Sequence, residues 1–429
     1  MVRRIAVIGA GWAGLSAAIH ASRAGHNVHV FEMADRGGGR ARTDHTSAGR
    51  FDNGPHILIG AYTCTLDLLR TVGIDDHQAF ERTPLYLVNP SGRGLELGDG
   101  RPVIAFVRGV LAHRGWPLAH RISLLGHAAR WRLTGFACAP ELSVADLCTG
   151  LAATARHELV EPLCVAALNT DAQTASGSVW LTVLHDALFQ GPGGSDLMLP
   201  RVPLHSLLPD AAHAWLASRG VEFAWRHQVR SIARHGRKWI VDGLEWDAVI
   251  VATPAREAAR LIRPLNPAWS EVADALQHEP ILTAWLHDPA LRWPRPMLSL
   301  GTGPDLPAQF GFDLGALGHR PATFAFVASA AGRWIDQGLD RAAEKILGQA
   351  RQAFPGSFSG SRALVHVAAE RRATFVCCPG VRRPRPAIAP GLAAAGDYVQ
   401  GRYPSTLEGA VRSGRIAVTE VLAGEPASV

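Results

Sequence analysis

The first forty residues carry the clearest alternation of apolar and polar positions in the chain. A β-branched apolar run, Arg4–Ile8, leads into a glycine-rich stretch, then into apolar positions at helical spacing over 15–24 and a stop at Gly25. A second apolar run, Asn27–Phe31, ends at the acidic Glu32. Strand, helix and strand within about 30 residues form a βαβ unit, in which the helix crosses one face of a parallel sheet. Strand-type runs return at 229–233, 239–241 and 247–252, separated by the turn pairs His235-Gly236 and Asp242-Gly243, and again at 392–395, closed by Gly396-Asp397. The stretch 404–421 predicts a helix that starts at Ser405-Thr406, whose hydroxyls suit a helix N-terminus. Leu118, Ile122, Leu125 and Ala129 also recur at helical spacing, with arginines and histidines between them.

The glycine-rich stretch reads Gly9-Ala10-Gly11-Trp12-Ala13-Gly14, the GxGxxG pattern, and Glu32 follows at the spacing of a ribose-binding acid. Gly9 permits a tight turn, Gly11 lets backbone approach a pyrophosphate, and Gly14 allows close packing of helix on strand. Trp12 and Ala13 open the helix, where unpaired amides and the positive end of the dipole attract phosphate. Glu32 is placed to accept hydrogen bonds from ribose hydroxyls. The parts in register predict a dinucleotide site. No second GxGxxG occurs in the chain, so a separate nicotinamide-binding domain is not expected.

At 429 residues the chain has room for two or three structural units. Hydrophobic residues at 47% and charged residues at 19% exclude a mainly disordered or fibrous protein. The longest apolar stretch, 5–19, is interrupted by three glycines and falls short of the roughly 18 residues of a membrane span. No small-residue cleavage site follows it, and the chain reads as a mature cytoplasmic protein, with the inner face of a membrane as a further option. Six cysteines contain no CxxC, which suits neither zinc nor a disulfide framework; reduced thiols and no metal site are expected. Net charge is +6, yet only Lys238 and Lys345 among the 43 basic residues are lysines. So arginine-rich a chain reflects composition more than a nucleic-acid partner, and none is expected. One segment stands apart: 101–140 holds six arginines, three histidines, Trp116 and Trp131, and no acidic residue. Two readings are open for it, an interfacial helix on anionic membrane and an ordinary amphipathic helix packed on the protein.

Gly38-Gly39-Arg40-Ala41-Arg42-Thr43, soon after Glu32, resembles the second glycine signature of flavoproteins of the amine oxidase and phytoene desaturase superfamily. Longer strings narrow the resemblance. The segment that begins Asp52-Asn53-Gly54-Pro55-His56, the one that ends Leu168-Asn169-Thr170, and the strings 195–201, 370–375, 395–398 and 403–414 are similar to hydroxysqualene dehydroxylases. That family usually has Gln where Pro55 stands and Leu where Gly37 stands.

The resemblance implies an α/β fold, with an FAD-binding Rossmann-like domain into which an α+β substrate domain is inserted. Segments 1–80, 203–264 and 389–429 would form the first, and 81–202 and 265–388 the second. It implies that Gly38, Gly39 and Arg40 sit against the FAD pyrophosphate, the backbone of Val229 at the adenine, Gly396 and Asp397 on ribityl or phosphate oxygens, and Thr406 and Leu407 at the flavin carbonyl. It further implies reductive removal of the hydroxyl of hydroxysqualene to give squalene, in bacterial hopanoid or related triterpenoid synthesis, with an electron donor that the sequence does not identify. The alcohol is allylic, so protonation and loss of water leave a delocalised cation that a hydride can quench. The protein must then supply a dry channel, an acid and correct placement.

His56 is the first candidate for the acid, because imidazole titrates near neutrality; a structural histidine beside the flavin is the other reading. Asp171, Asp196, Arg201, Glu370 and Arg371 sit in or directly beside the similar strings and are equally open to roles in buried ion pairs. Three rival functions share the fold. A polyene desaturase or oxidase would run the hydride from lipid to flavin. An amine oxidase would want a lysine near the flavin, which neither Lys238 nor Lys345 matches, and often a tethering cysteine, whereas none follows Cys378. A non-catalytic isoprenoid carrier would have no need of an intact flavin site.

Overall fold

Two sheets organise the chain. In the computed structural model, which describes residues 1–189, 191–358 and 363–423, the first sheet runs Glu222–Ala224, Asn27–Phe31, Arg4–Ile8, Ala248–Val251, Leu392–Ala394, Ala387–Ala389. Every neighbouring pair is parallel except the last. Its strands are apolar at successive positions because both faces are covered. Ile5 and Val7 point to the helices Trp12–Arg23, Pro209–Ala217 and Leu407–Ala423, whereas Ala6 and Ile8 point to a three-stranded meander and the helices Ala255–Ile262 and Pro267–Asp274.

The C-terminal helix Leu407–Ala423 lies directly on Trp12–Arg23. A Cβ at Gly414 would stand 2.4 Å from the Ala13 carbonyl oxygen, so only glycine permits this approach. Ser16 Oγ donates to the Val411 carbonyl at 2.8 Å. Glu408 is fully buried, and its carboxylate accepts from the amides of Cys64 (3.1 Å) and Thr65 (2.8 Å) and from Arg412 Nε (2.6 Å). It thereby satisfies the first amides of the helix Thr63–Thr71, whose own N-cap, Tyr62, supplies no side-chain acceptor.

The second sheet is antiparallel, in the order Met297–Ser299, Phe310–Asp313, Thr323–Ala328, His278–His287, Leu364–Phe375. One face packs on helices drawn from 102–189 and the other on Leu339–Ala353. Asn169 locks this arrangement from a left-handed conformation (φ 47°) at the end of the helix Glu161–Leu168. Its Nδ2 donates to the Glu279 carbonyl (3.0 Å) and Thr374 Oγ1 (2.9 Å), and its Oδ1 accepts from the Ala330 amide (2.7 Å). One buried amide thus joins a helix to three other stretches of chain.

Several boundaries differ from expectation. The strand Phe80–Thr83 crosses the expected division at 80/81 and pairs with Leu197–Pro200, which also pairs with Leu58–Ile59, so this small sheet joins segments expected apart. Ala387–Ala389, which starts before the expected division at 388/389, pairs with Leu392–Ala394 in the first sheet. The meander has a strand more than expected, Ile232–His235, Lys238–Val241 and Leu244–Trp246. Val229 precedes it, because the Asp242 carboxylate takes the amides of Arg230 (3.0 Å) and Ser231 (2.9 Å) before the ladder starts. The C-terminal helix starts at Leu407, three residues later than 404. Ser405 has φ 58°, and Thr406 Oγ1 caps the helix by accepting from the Gly409 amide at 2.9 Å. Among the described residues no helix is long and apolar enough to cross a membrane, and no group of three or more His, Cys, Asp or Glu could hold a metal ion.

Candidate active site

The turn after Arg4–Ile8 depends on glycine at two positions for steric reasons. Gly9 has φ 106°, and a Cβ there would stand 2.6 Å from the Ala252 carbonyl oxygen; one at Gly14 would stand 1.8 Å from the Gly9 oxygen. Gly11 is different. Among the described residues a Cβ there would find only Gly39 Cα, at 3.8 Å. The second glycine loop lies alongside, with the Gly38 amide donating to the Ala10 carbonyl (2.9 Å) and Trp12 Nε1 to the Ala41 carbonyl (3.2 Å). Two loops bare of side chains therefore form one wall, at the N-terminus of a helix with no side-chain cap and no acid in its first turn. A cradle that a Cβ would fill, ending on helix amides, fits a pyrophosphate.

Glu32 lies at one end of this cradle. Its Oε2 accepts from the Ala10 amide (2.7 Å) and its Oε1 from the Ala34 amide (2.9 Å), so the acid also shapes the glycine turn. Each oxygen keeps acceptor capacity for a ribose hydroxyl. Val229 lines the same end with His227 and Thr253, and its carbonyl accepts from Arg260 Nη2 at 2.8 Å. At the other end Arg40 donates to Asp397 Oδ1 and to the Ala373 carbonyl (2.6 Å). Burial alone would lower the Arg40 pKa, but Asp397 and Glu370 together raise it, so the guanidinium stays charged. Arg40 and Asp397, both expected on the cofactor, are thus each other's first partner. The Gly396 amide donates to Ser413 Oγ (2.8 Å), and Thr406 and Leu407 open the C-terminal helix at the cavity.

The residues expected at the cofactor, Gly14 excepted, line one cavity of about 1470 Å³. Pockets for drug-sized ligands hold roughly 300–1,000 Å³, so this one has room for a dinucleotide and a second ligand. Another part of its wall is mainly apolar, Ile281, Trp285, Phe310, Phe312 and Val327 of the second sheet with Ile57, interrupted by the hydroxyls of Thr283 and Ser329. Thr253 Oγ1 and Tyr398 Oη line the cavity, buried and without a hydrogen-bond partner. Buried polar atoms are normally satisfied, so two orphans here point to a ligand rich in hydroxyls and phosphates. The residues fit FAD.

His56 faces the cavity, with Nδ1 2.9 Å from the Gly54 carbonyl oxygen. Nδ1 therefore carries the hydrogen and Nε2 is left as an acceptor. Burial lowers the pKa of His56, against smaller opposing effects of Gly54 and Asp52, so the ring is neutral at pH 7 and gives up a proton only after gaining one. Of the other acids singled out in the sequence, only Glu370 lines the cavity. Its Oε2 accepts from Asn53 Nδ2 (3.1 Å) and its Oε1 from the Arg372 amide (3.2 Å). Asp171 is exposed, Asp196 pairs with Arg82 (2.8 Å), Arg201 pairs with Glu81 (3.4 Å), and Arg371 is exposed; none of the four lines the cavity. Lys238 pairs with Asp247 and Lys345 with Asp305 (2.8 Å), both away from it. Asn53, which also donates to the Arg40 carbonyl (3.0 Å), was not singled out, although its place three residues before His56 could have marked it.

Residues 12–422 match the family described as flavin containing amine oxidoreductase. The chain is 28% identical, over 463 residues, to the hydroxysqualene dehydroxylase of Rhodopseudomonas palustris, an alignment that covers 99% of each protein. Its likeness to the 15-cis-phytoene desaturase of Synechococcus elongatus is 34% identity, but over 92 residues and 21% of this chain. Among solved structures, an oxidoreductase of Methanosarcina mazei superposes with a TM-score of 0.73 at 17% identity, over 97% of this chain and 100% of that one, a likeness of fold.

Proposed function

The chain belongs to the flavin-containing amine oxidoreductase family, and from that premise we propose that it is an FAD-dependent hydroxysqualene dehydroxylase, which removes an allylic hydroxyl reductively to yield squalene. The observation that carries the reading is the continuity of one cavity, glycine-lined and polar at one end and walled by aromatic and aliphatic side chains at the other. Likeness to a hydroxysqualene dehydroxylase over almost the whole chain supports this substrate over a carotenoid, for which the likeness spans a fifth. With no lysine among the described lining residues, amine oxidation is the weaker reading.

FAD, once bound and reduced, supplies a hydride. The chain's own residues do the rest. Gly11, Gly39 and the amides of Trp12 and Ala13 would hold the pyrophosphate, Glu32 the ribose, Val229 the adenine, and the Arg40–Asp397 pair with Gly396, Thr406 and Leu407 the ribityl and flavin end. Ile281, Trp285, Phe310, Phe312 and Val327 exclude water around the hydrocarbon, and their ring faces suit a developing allylic cation. Protonated His56 gives its Nε2 proton to the hydroxyl, which departs as water; Glu370 is the alternative donor. The product feeds hopanoid or related triterpenoid synthesis, and the enzyme works against the cytoplasmic face of the membrane that dissolves its substrate.

Anaerobic incubation of the flavin-loaded protein with hydroxysqualene and chemically reduced FAD in heavy water tests the reaction. The extract should contain squalene with one deuterium at the former carbinol carbon. Recovery of unchanged alcohol, or of a more unsaturated lipid with oxidised flavin consumed, would sink the proposal.

A further inference from the structure

The hairpin of the helices Pro102–Ala112 and Leu118–Leu133 carries apolar side chains on its outer side as well as its inner one. Inward it buries Val110, Leu124 and Trp131, with Trp116 in the turn. Outward, Ile104 and Leu111 on the first helix are 46% and 44% exposed, and Leu118 and Ile122 on the second are 61% and 57% exposed. Spacings of seven and four residues put each pair on one helix face. Val107 adds to the first row and Leu133 lies at the end of the second helix, both also exposed.

The charge around this face is mainly positive. Arg101, Arg108, Arg114, Arg130 and Arg132 are exposed and 101–140 contains no acidic residue, while the exposed acids Asp99 and Glu141 flank the segment at its two ends. The two acids nearest on packed elements are already engaged, Glu158 by the Trp116 indole (2.7 Å) and Glu96 by Arg295 (2.7 Å). Arg121 is not part of the free charge. It donates to the carbonyls of Trp116 (2.9 Å) and Leu111 (2.6 Å) and so straps the two helices together.

Exposed apolar rows on two packed helices mark a surface that something covers, and a mainly cationic surround selects an anionic occupant with apolar depth. A lipid leaflet carrying anionic headgroups has both properties, since an amphipathic face sinks to the acyl boundary while arginines stay with the phosphates. We infer that this hairpin docks the enzyme on an anionic leaflet, with Ile104, Leu111, Leu118 and Ile122 in the apolar layer. The inference draws on the proposed function only for its purpose, access to a lipid-dissolved substrate; the geometry stands without it.

Flotation of the flavin-loaded full chain with vesicles of phosphatidylcholine, with and without phosphatidylglycerol, tests it. The wild type should float with the anionic vesicles. Ile104→Ser, Leu111→Ser, Leu118→Ser and Ile122→Ser combined should cut that binding at least about tenfold, and Arg108→Glu with Arg114→Glu should abolish the preference for phosphatidylglycerol. Flavin content and melting temperature should hold in both variants, because every altered side chain faces solvent. Failure of the wild type to float, or serine variants that float like it, would overturn the inference. So would a lipid-free dimer that the serine variant turns into a monomer, because the face would then cover itself. None of these outcomes bears on the reaction, which is read from squalene alone.

Discussion

Arg40 and Asp397 close on each other as an ion pair across 357 positions of sequence. Arg40 comes from the second glycine loop and Asp397 follows the strand Leu392–Ala394, while the same guanidinium reaches the Ala373 carbonyl of the strand Leu364–Phe375. One side chain therefore ties three distant segments together at the cavity.

Removing that partner should be costly. Asp397→Ala leaves a partly buried cation unpaired, and a loss of about 2–4 kcal/mol in urea unfolding is expected, with a lower ratio of flavin to protein absorbance. Asp397→Asn, which keeps an acceptor oxygen, should lose less on both measures.

Gly11 and Gly14 should part company. Gly14→Ala puts a methyl group onto the Gly9 oxygen and should lower the melting temperature of the apoprotein itself. Among the described residues the Cβ of Gly11→Leu meets no atom closer than Gly39 Cα, so the apoprotein should melt near the wild-type temperature while FAD titration shows no binding.

Stability should fall on the acid side. Burial, with Arg415 and Arg23 nearby, brings the His20 pKa down from 6.5 to about 4. The unfolded chain therefore takes up the proton first, and stability present above pH 6.5 is lost as pH falls toward 4. His56, His205 and His278 are lowered in the same direction, also chiefly by burial. Melting curves from pH 7 to 5 should show a steady decline, and His20→Gln should make it shallower.

His56→Ala should slow turnover by roughly 10²–10⁴-fold with flavin content unchanged if the ring delivers the proton. Because its pKa lies below the usual imidazole value, the wild-type rate should climb as pH drops beneath 6.5. A flat profile there, with a large loss in Glu370→Gln, would move the acid to Glu370.

No cysteine lines the cavity among the described residues. Acid precipitation of the yellow protein should leave a colourless pellet, with all flavin in the supernatant; colour retained on the pellet would show a covalent link.

The parallel sheet and both glycine loops were legible because their information is local: strand runs, turn glycines and Glu32 lie within a few tens of residues. What depends on a distant partner was not. Glu408 reads as an ordinary acid near a helix start, and only the fold shows its carboxylate serving Cys64 and Thr65. Arg40 and Asp397 each carried a cofactor role in the resemblance, and nothing in their separate strings told of the pair. In 118–129 the helical period was visible but its direction was not. Leu118, Ile122 and Ala129 are exposed and Leu125 is partly buried, whereas Leu124 and Trp131 point inward. Arg121 keeps its charge but is held in place by two carbonyls rather than free to reach outward.

The buried Glu408 also sets an order of events during synthesis. Cys64 and Thr65 leave the ribosome long before the carboxylate that receives their amides, and Ala248–Val251 emerges as an open sheet edge before Leu392–Ala394 can pair with it. Ser16 and Arg40 likewise wait for Val411 and Asp397. The cradle's glycine loops are made well before the segments that close it, so tight cofactor binding waits for residues 387–411, and a nascent chain halted before residue 387 holds an unfinished site.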